Sequence, residues 1–173
     1  MNYINKGKRD ILIFPKFKNI NNIQEIRKKY DELFDKIMPH ITLAFPYDKD
    51  ISNEQLKYQL EKITENIEKF KIKCKGITFK RENEINQYYI FLNIIEGKER
   101  IEEIHTQIYD NILNDINIKN YNYDPHITLG CVNSTDEKVE TDEEFETVID
   151  KIVVERIGED EESIIEFEIE LHW

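Results

Sequence analysis

The 173-residue chain is poor in the residues that break or staple a fold. It has five Gly, four Pro, two Cys, four His and one Trp. So few glycines and prolines exclude a low-complexity or fibrous chain, and with plentiful aromatics they point to a globular domain that buries a core. Two distant cysteines, Cys74 and Cys131, with no C-x-x-C spacing, read as free thiols in a cytoplasmic protein; a disulfide between them would require their two strands to meet. No apolar run approaches a membrane span and no apolar N-terminal leader is present, so membrane partners are not expected. A continuous basic face is also missing. Residues 1–82 carry 18 Lys/Arg against 12 Asp/Glu, whereas residues 83–173 carry 6 against 24, and the total is −12. Such a surface argues against gripping duplex DNA and leaves room for a small anion or the end of an RNA strand.

Against this background one repetition stands out. Pro-His-Ile-Thr-Leu occurs at 39–43 and again at 125–129, using two of the four histidines and two of the four prolines. The surrounding elements recur in the same order. "RDILIFPKF" (9–17) reads as a buried strand. Ile23, Ile26, Tyr30, Leu33, Phe34 and Ile37 are spaced for a helix over about 22–37. The first PHITL strand follows, then a helix opened by the capping box Ser52–Gln55 and a strand that runs into a turn at the end of "KFKIKCKGITFKREN". "QYYIFLNII" (87–95) begins the second round, with a helix at about 98–114 and the second PHITL strand. A further short helix is expected from the Thr141–Glu144 capping pattern with Phe145, Val148 and Ile149. "DKIVVERIG" and "SIIEFEIELHW" close the chain as a hairpin. Residues 1–173 are therefore expected to form one domain, a monomer, with two lobes built from a duplicated strand–helix–strand–helix–strand unit about a pseudo-two-fold axis.

Strand alternation places His40, Thr42 and Ala44 on one face, with Ile41, Leu43 and Phe45 on the other. In the second copy His126, Thr128 and Gly130 oppose Ile127, Leu129 and Cys131. The small residues Ala44 and Gly130 are expected to keep the His/Thr face open. Across a pseudo-two-fold axis two imidazoles then confront each other, each with a hydroxyl beside it. One neutral imidazole can take a proton from water while a protonated one gives a proton to a leaving oxygen, and two Thr hydroxyls can hold the non-bridging oxygens of a phosphate. This chemistry needs no metal, no cofactor and no nucleophilic side chain.

The paired HITL motifs resemble the signature of the two-histidine (2H) phosphoesterase superfamily, which includes 2′-5′ RNA ligase-like and cyclic phosphodiesterase proteins. The resemblance covers essentially the whole chain. It implies an α+β bilobal fold, two antiparallel sheets facing a central groove with helices outside. It also implies metal-independent hydrolysis of a cyclic phosphodiester or a 2′-5′ linkage in a nucleotide or RNA-derived substrate. His40 and His126 would be the acid–base pair, with Thr42 and Thr128 on the phosphate. The bacterial RNA-end enzymes of the superfamily often carry an Arg shortly after the second motif, where this chain has "GCVN". An alternative is a nucleotide- or RNA-binding module that uses the same groove without catalysis. If PHITL were only a packing device, both histidines would be buried from solvent.

Other candidates have plainer readings. His105 lies on the Ile101/Ile104/Ile108 stripe and suits a core boundary, and His172 is near the terminus. Lys71, Lys73 and Lys75 share a strand face and suit a charged outer surface better than an RNA track. Tyr47 and Tyr123 flank the motifs, where a loop aromatic can stack on a base. Phe14 and Phe17 suit either the core or the groove wall.

Overall fold

A computed structural model describes residues 5–82, 86–116 and 122–173. The chain runs β1 (Arg9–Ile13), α1 (Ile20–Tyr30), β2 (Ile41–Tyr47), α2 (Asn53–Thr64), β3 (Phe70–Glu82), β4 (Gln87–Glu96), α3 (Lys98–Asn111), β5 (His126–Val132), β6 (Phe145–Ile149), β7 (Lys151–Ile157) and β8 (Ser163–Glu170). The eight strands form one antiparallel sheet in the order β6-β3-β4-β5-β2-β1-β7-β8. The two expected antiparallel sheets are thus joined at the middle into one, and the α+β, two-lobed plan stands. The turn expected after β3 lies outside the described residues.

The seam between the lobes is narrow. β2 and β5 share a single bridge, Ile41 with Ile127, and then diverge in opposite directions. Each strand leaves the seam beside a helix that follows the other lobe's first strand: α3 lies against β2 and α1 against β5. On this helical side Ile41, Leu43, Ile127 and Leu129 are fully buried among Leu56 and Leu60 of α2 and Ile101, Ile104 and Ile108 of α3. Full burial of each such side chain is worth roughly 1.5–3 kcal/mol, which is what holds the seam when so few backbone bonds cross it.

Two expectations are corrected. The segment after Thr141 is not helical: the Thr141 hydroxyl accepts from Glu143 two residues on, and Phe145–Ile149 pairs with β3 as an edge strand. Five residues with buried ends satisfy a strand as well as a helix, and the open edge of β3 decides. The order strand–helix–strand recurs in β1-α1-β2 and β4-α3-β5, but the fourth element of the second copy is a strand. Helix α1 also stops early, at Tyr30. The buried Arg27 guanidinium bonds Asp31 at 2.8 Å and the Ile37 carbonyl at 2.8 Å, holding 31–37 as a folded-back segment, and Phe34 and Ile37 leave the helix stripe to line a surface trough.

Candidate active site

The two motifs meet at the seam. Continuing the antiparallel register from Ile41–Ile127 places His40 across from Thr128, and Thr42 across from His126. All four side chains are partly exposed on the face opposite the main core. The packing-only reading required buried histidines, and this is not what the strands present.

The prolines have a local role. His40 Nδ1 donates to the Met38 carbonyl at 2.9 Å, and His126 Nδ1 donates to the Asp124 carbonyl at 2.7 Å. Each bond spans the buried Pro39 or Pro125, whose ring limits the preceding residue to extended backbone and so aims its carbonyl at the imidazole. A carbonyl only accepts, so both rings carry the proton on Nδ1. Both Nε2 atoms keep the lone pair in the neutral ring or the transferable proton in the charged one.

Burial lowers the pKa of both imidazoles from 6.5. At His40 the Met38 bond opposes this, while the charges of Arg27 and of His126 lower it further, so the two rings lie close enough to sense each other. At His126 the Asp124 carbonyl and carboxylate oppose burial, and Lys80 adds to the lowering. The ring walls differ. Phe91 lies flat on His126, centroids 3.5 Å apart and 17° between planes, with Tyr89 stacked behind Phe91. Phe14 meets His40 edge-on at 6.1 Å. Phe14 therefore belongs to the groove wall, whereas Phe17 is buried against Phe145 in the core.

A bulge follows each H-x-T and revises the expected faces. Leu12 pairs with Thr42 and Ile11 with Ala44; Phe91 pairs with Thr128 and Ile90 with Gly130. One extra residue, Leu43 or Leu129, reverses the alternation. Ala44 and Gly130 therefore turn into the core and do not open the groove, while Phe45 and Cys131 come out on the His/Thr side, partly exposed. Gly130 has φ +141°, and a Cβ there would lie 2.3 Å from the Tyr30 carbonyl oxygen. Its smallness admits α1.

The two flanking tyrosines are already occupied. Tyr47 is 4% exposed. The Tyr123 hydroxyl donates to the Thr42 carbonyl at 2.8 Å, and its ring stacks on His105 at 3.6 Å. Neither offers a free face to a base. His105 is buried, as its stripe suggested, and its Nδ1 donates to the Leu43 carbonyl at 2.7 Å. Lys71, Lys73 and Lys75 lie within 4 Å of Glu146, Glu144 or Glu96 carboxylates, which neutralises the strand face. His172 sits at an isolated bridge to Glu68. Among the described residues no group of three His, Cys, Asp or Glu side chains gathers into a metal-ligand set.

Sequence reasoning missed Phe91, Arg27 and a buried carboxyl pair, Asp10 with Glu155. The alternation Tyr89–Phe91–Asn93 in "YYIFLN" carried a signal for Phe91. Nothing local announced Arg27, whose carbonyl partners lie in the segment it folds back, or the pairing of Asp10 across strands with Glu155.

An α+β sheet with two half-sites, each offering an imidazole Nε2 and a threonine, defines the two-histidine class of proteins. A sequence model of the 2′-5′ RNA ligase superfamily matches residues 15–161, and the chain belongs to that superfamily. Relatives include two proteins called "Putative phosphoesterase". One, from Geobacillus sp. WCH70, is 28% identical over 71% of this chain and 68% of its own length. The other, from Bacillus licheniformis, is 28% identical over 75% and 74%. Among solved structures, TT0787 of Thermus thermophilus aligns with TM-score 0.64 at 14% identity, covering 95% of this chain and 97% of its own. E. coli LigT, crystallised with 3′-AMP, aligns with TM-score 0.58 at 14% identity over 96% and 98%. At these identities the structural matches speak for the fold.

Proposed function

We propose that this protein is a metal-independent phosphodiesterase that hydrolyses a cyclic phosphodiester or a 2′-5′ linkage in a nucleotide or RNA-derived substrate. The observation that carries the reading is the matched pair of Nδ1-to-carbonyl bonds, which leaves both Nε2 atoms free on one face beside Thr42 and Thr128. The lobes act as half-sites of one catalytic unit spanning residues 1–173. One imidazole removes a proton from water as its oxygen attacks phosphorus, and the other delivers a proton to the oxygen that leaves. The threonine hydroxyls hold the non-bridging oxygens, where charge gathers. Membership of the superfamily and the phosphoesterase names of its relatives support the reaction class.

The test is a product-resolved assay, in excess EDTA, of 2′,3′-cyclic nucleotides, RNA ends bearing a cyclic phosphate, 2′-5′ oligonucleotides and ADP-ribose cyclic phosphate. Turnover of at least one class by the parent, and none by the His40→Ala/His126→Ala double variant, is the expected result. Tight binding without any product points instead to a non-catalytic nucleotide-binding module.

A further inference from the structure

On the helical face of the sheet, at the end of β1 away from the seam, Tyr47, Arg9 and Arg156 stand side by side across β2, β1 and β7. Arg9 shares that face with the core residue Ile11, and it is only 6% exposed. Its guanidinium bonds the Asn53 side-chain oxygen at 2.9 Å and the Lys49 and Ile51 carbonyls at 3.1 and 2.8 Å, which ties down the loop between β2 and α2. All three acceptors are neutral, and they occupy three of the five N–H groups that a guanidinium offers. None of the partners of Arg9 among the described residues is a carboxylate. Arg27 is also buried, but its Nε has the Asp31 carboxylate at 2.8 Å. A buried guanidinium without a counter-ion keeps much of its desolvation cost. Asp10 does not supply the charge. It faces the other side of the sheet, and burial, then Glu155, push its carboxyl to about 10, so it is neutral at physiological pH.

A second group goes unmet at the same place. The Tyr47 ring packs in the core, yet its hydroxyl is buried with no hydrogen-bond partner among the described residues. Burial raises its pKa to about 12, although the charges of Arg9 and Arg156 lower it. The hydroxyl therefore stays protonated, a donor within reach of both guanidinium groups. Tyr47, Arg9 and Arg156 line one cavity of about 350 Å³, whose remaining wall is Gly7 and the 48–53 segment that leads into α2. That volume lies at the small end of the roughly 300–1,000 Å³ typical of ligand sites. Arg156 bonds the Glu166 carboxylate and the Gly7 carbonyl and keeps further N–H groups. Asp48 and Asp50 are exposed on the rim, Asp48 beside Lys8 at 3.8 Å. Asn53, the first residue of α2, brings the positive end of the helix dipole to the wall.

We propose that this cavity is a second ligand site, on the opposite face of the sheet from the His/Thr groove, and that it takes a small tetrahedral oxyanion: phosphate, as the free ion or as the monoester end of a small molecule. Two guanidinium groups and a hydroxyl offer donors that the fold leaves without acceptors, which suits a compact anion with several oxygens. The acidic rim disfavours a long polyanion such as a nucleic-acid backbone. Bound anion ties β1, β2, β7 and the start of α2 together, so the ligand raises the melting temperature.

Phosphate titration by calorimetry in the His40→Ala/His126→Ala background tests this with binding in the groove weakened. Saturable binding is expected, and adding Tyr47→Phe should weaken it by about tenfold or more. The same substitution removes an orphaned hydroxyl, so without anion the protein should melt no lower than its background. Arg156→Gln should also weaken binding. Glycerol 3-phosphate run in parallel separates the sources: tighter binding than phosphate marks a monoester ligand, equal or weaker binding the free ion. A crystal soaked in tungstate, a tetrahedral oxyanion located by its anomalous scattering, should show a peak between Arg9 and Tyr47. No saturable binding in the double variant, an affinity that Tyr47→Phe leaves unchanged, or tungstate confined to the groove overturns the second site. Each of those results leaves the phosphodiesterase reading untouched.

Discussion

His105 and Tyr123 stack face to face, 3.6 Å between centroids and 4° between planes, and together they grip β2 where it leaves the seam. His105 Nδ1 holds the Leu43 carbonyl, the Tyr123 hydroxyl holds that of Thr42, and Tyr109 accepts the Phe45 N–H at 3.2 Å. These bonds join the helix of one lobe to the H-x-T strand of the other, on the flank where β5 has diverged. Tyr123→Phe removes the donor that fixes Thr42, and a stability loss of about 1–3 kcal/mol is expected from the orphaned carbonyl. Urea unfolding measures that loss, and KM should rise several-fold because the Thr42 backbone that carries the hydroxyl loses its anchor.

The close approach of α1 to β5 predicts intolerance at Gly130. A methyl group there meets the Tyr30 carbonyl at 2.3 Å, with the backbone at φ +141°. Gly130→Ala should cost about 2–4 kcal/mol, combining strain with overpacking. Thermal melting reads this directly. A variant as stable as the parent would mean that α1 does not seat on β5 as described.

The pH dependence of catalysis follows from the two lowered imidazole pKa values. The base must be neutral, so activity falls below its pKa; the acid must be protonated, so activity falls above its own. Burial moves both below 6.5, and the bell of kcat/KM should therefore centre on the acid side of neutrality, its alkaline limb already falling by pH 7. A bound phosphate anion favours the protonated rings, so the kcat profile should lie to the alkaline side of the kcat/KM profile. Stopped assays from pH 4.5 to 8.5 separate the two.

Asp10 and Glu155 face each other between β1 and β7, and Ser163 donates its hydroxyl to Glu155. Burial, and then the Glu155 charge, push the Asp10 carboxyl from 3.8 to about 10. A carboxyl whose folded pKa is raised takes up a proton on folding at every pH between its unfolded and folded values. Stability therefore falls as pH rises from about 4 toward 10, by at most roughly 1.4 kcal/mol per pH unit. Asp10→Asn keeps the shape without the titration, so it should exceed the parent in stability at pH 8, with the gap closing toward pH 4. Denaturant midpoints at both pH values test this.

Much of the site was legible in the sequence because its signal is a local pattern used twice. Pro-His-Ile-Thr-Leu at 39–43 and 125–129 placed His40, Thr42, His126 and Thr128 at equivalent strand starts, and strand alternation put all four on one face. What alternation could not carry was the bulge at Leu43 and Leu129, because a bulge is set by cross-strand register with β1 and β4. That error sent Ala44, Phe45, Gly130 and Cys131 to the wrong sides. The 145–149 strand was missed for a similar reason: a five-residue segment takes its conformation from the neighbour it pairs with. Tyr123 looked free only because its partners, His105 and the β2 backbone, are distant in sequence, and Tyr47 because strand pairing and packing, not local sequence, bury it.

The most direct test of the central claim is hydrolysis of a 2′,3′-cyclic nucleotide in EDTA by the parent, His40→Ala and His126→Ala proteins, with circular dichroism confirming the fold of each. Loss of one proton-transfer group should cut kcat by roughly 10²–10⁴-fold in either single variant. Undiminished turnover by either folded variant would contradict a mechanism that needs both imidazoles.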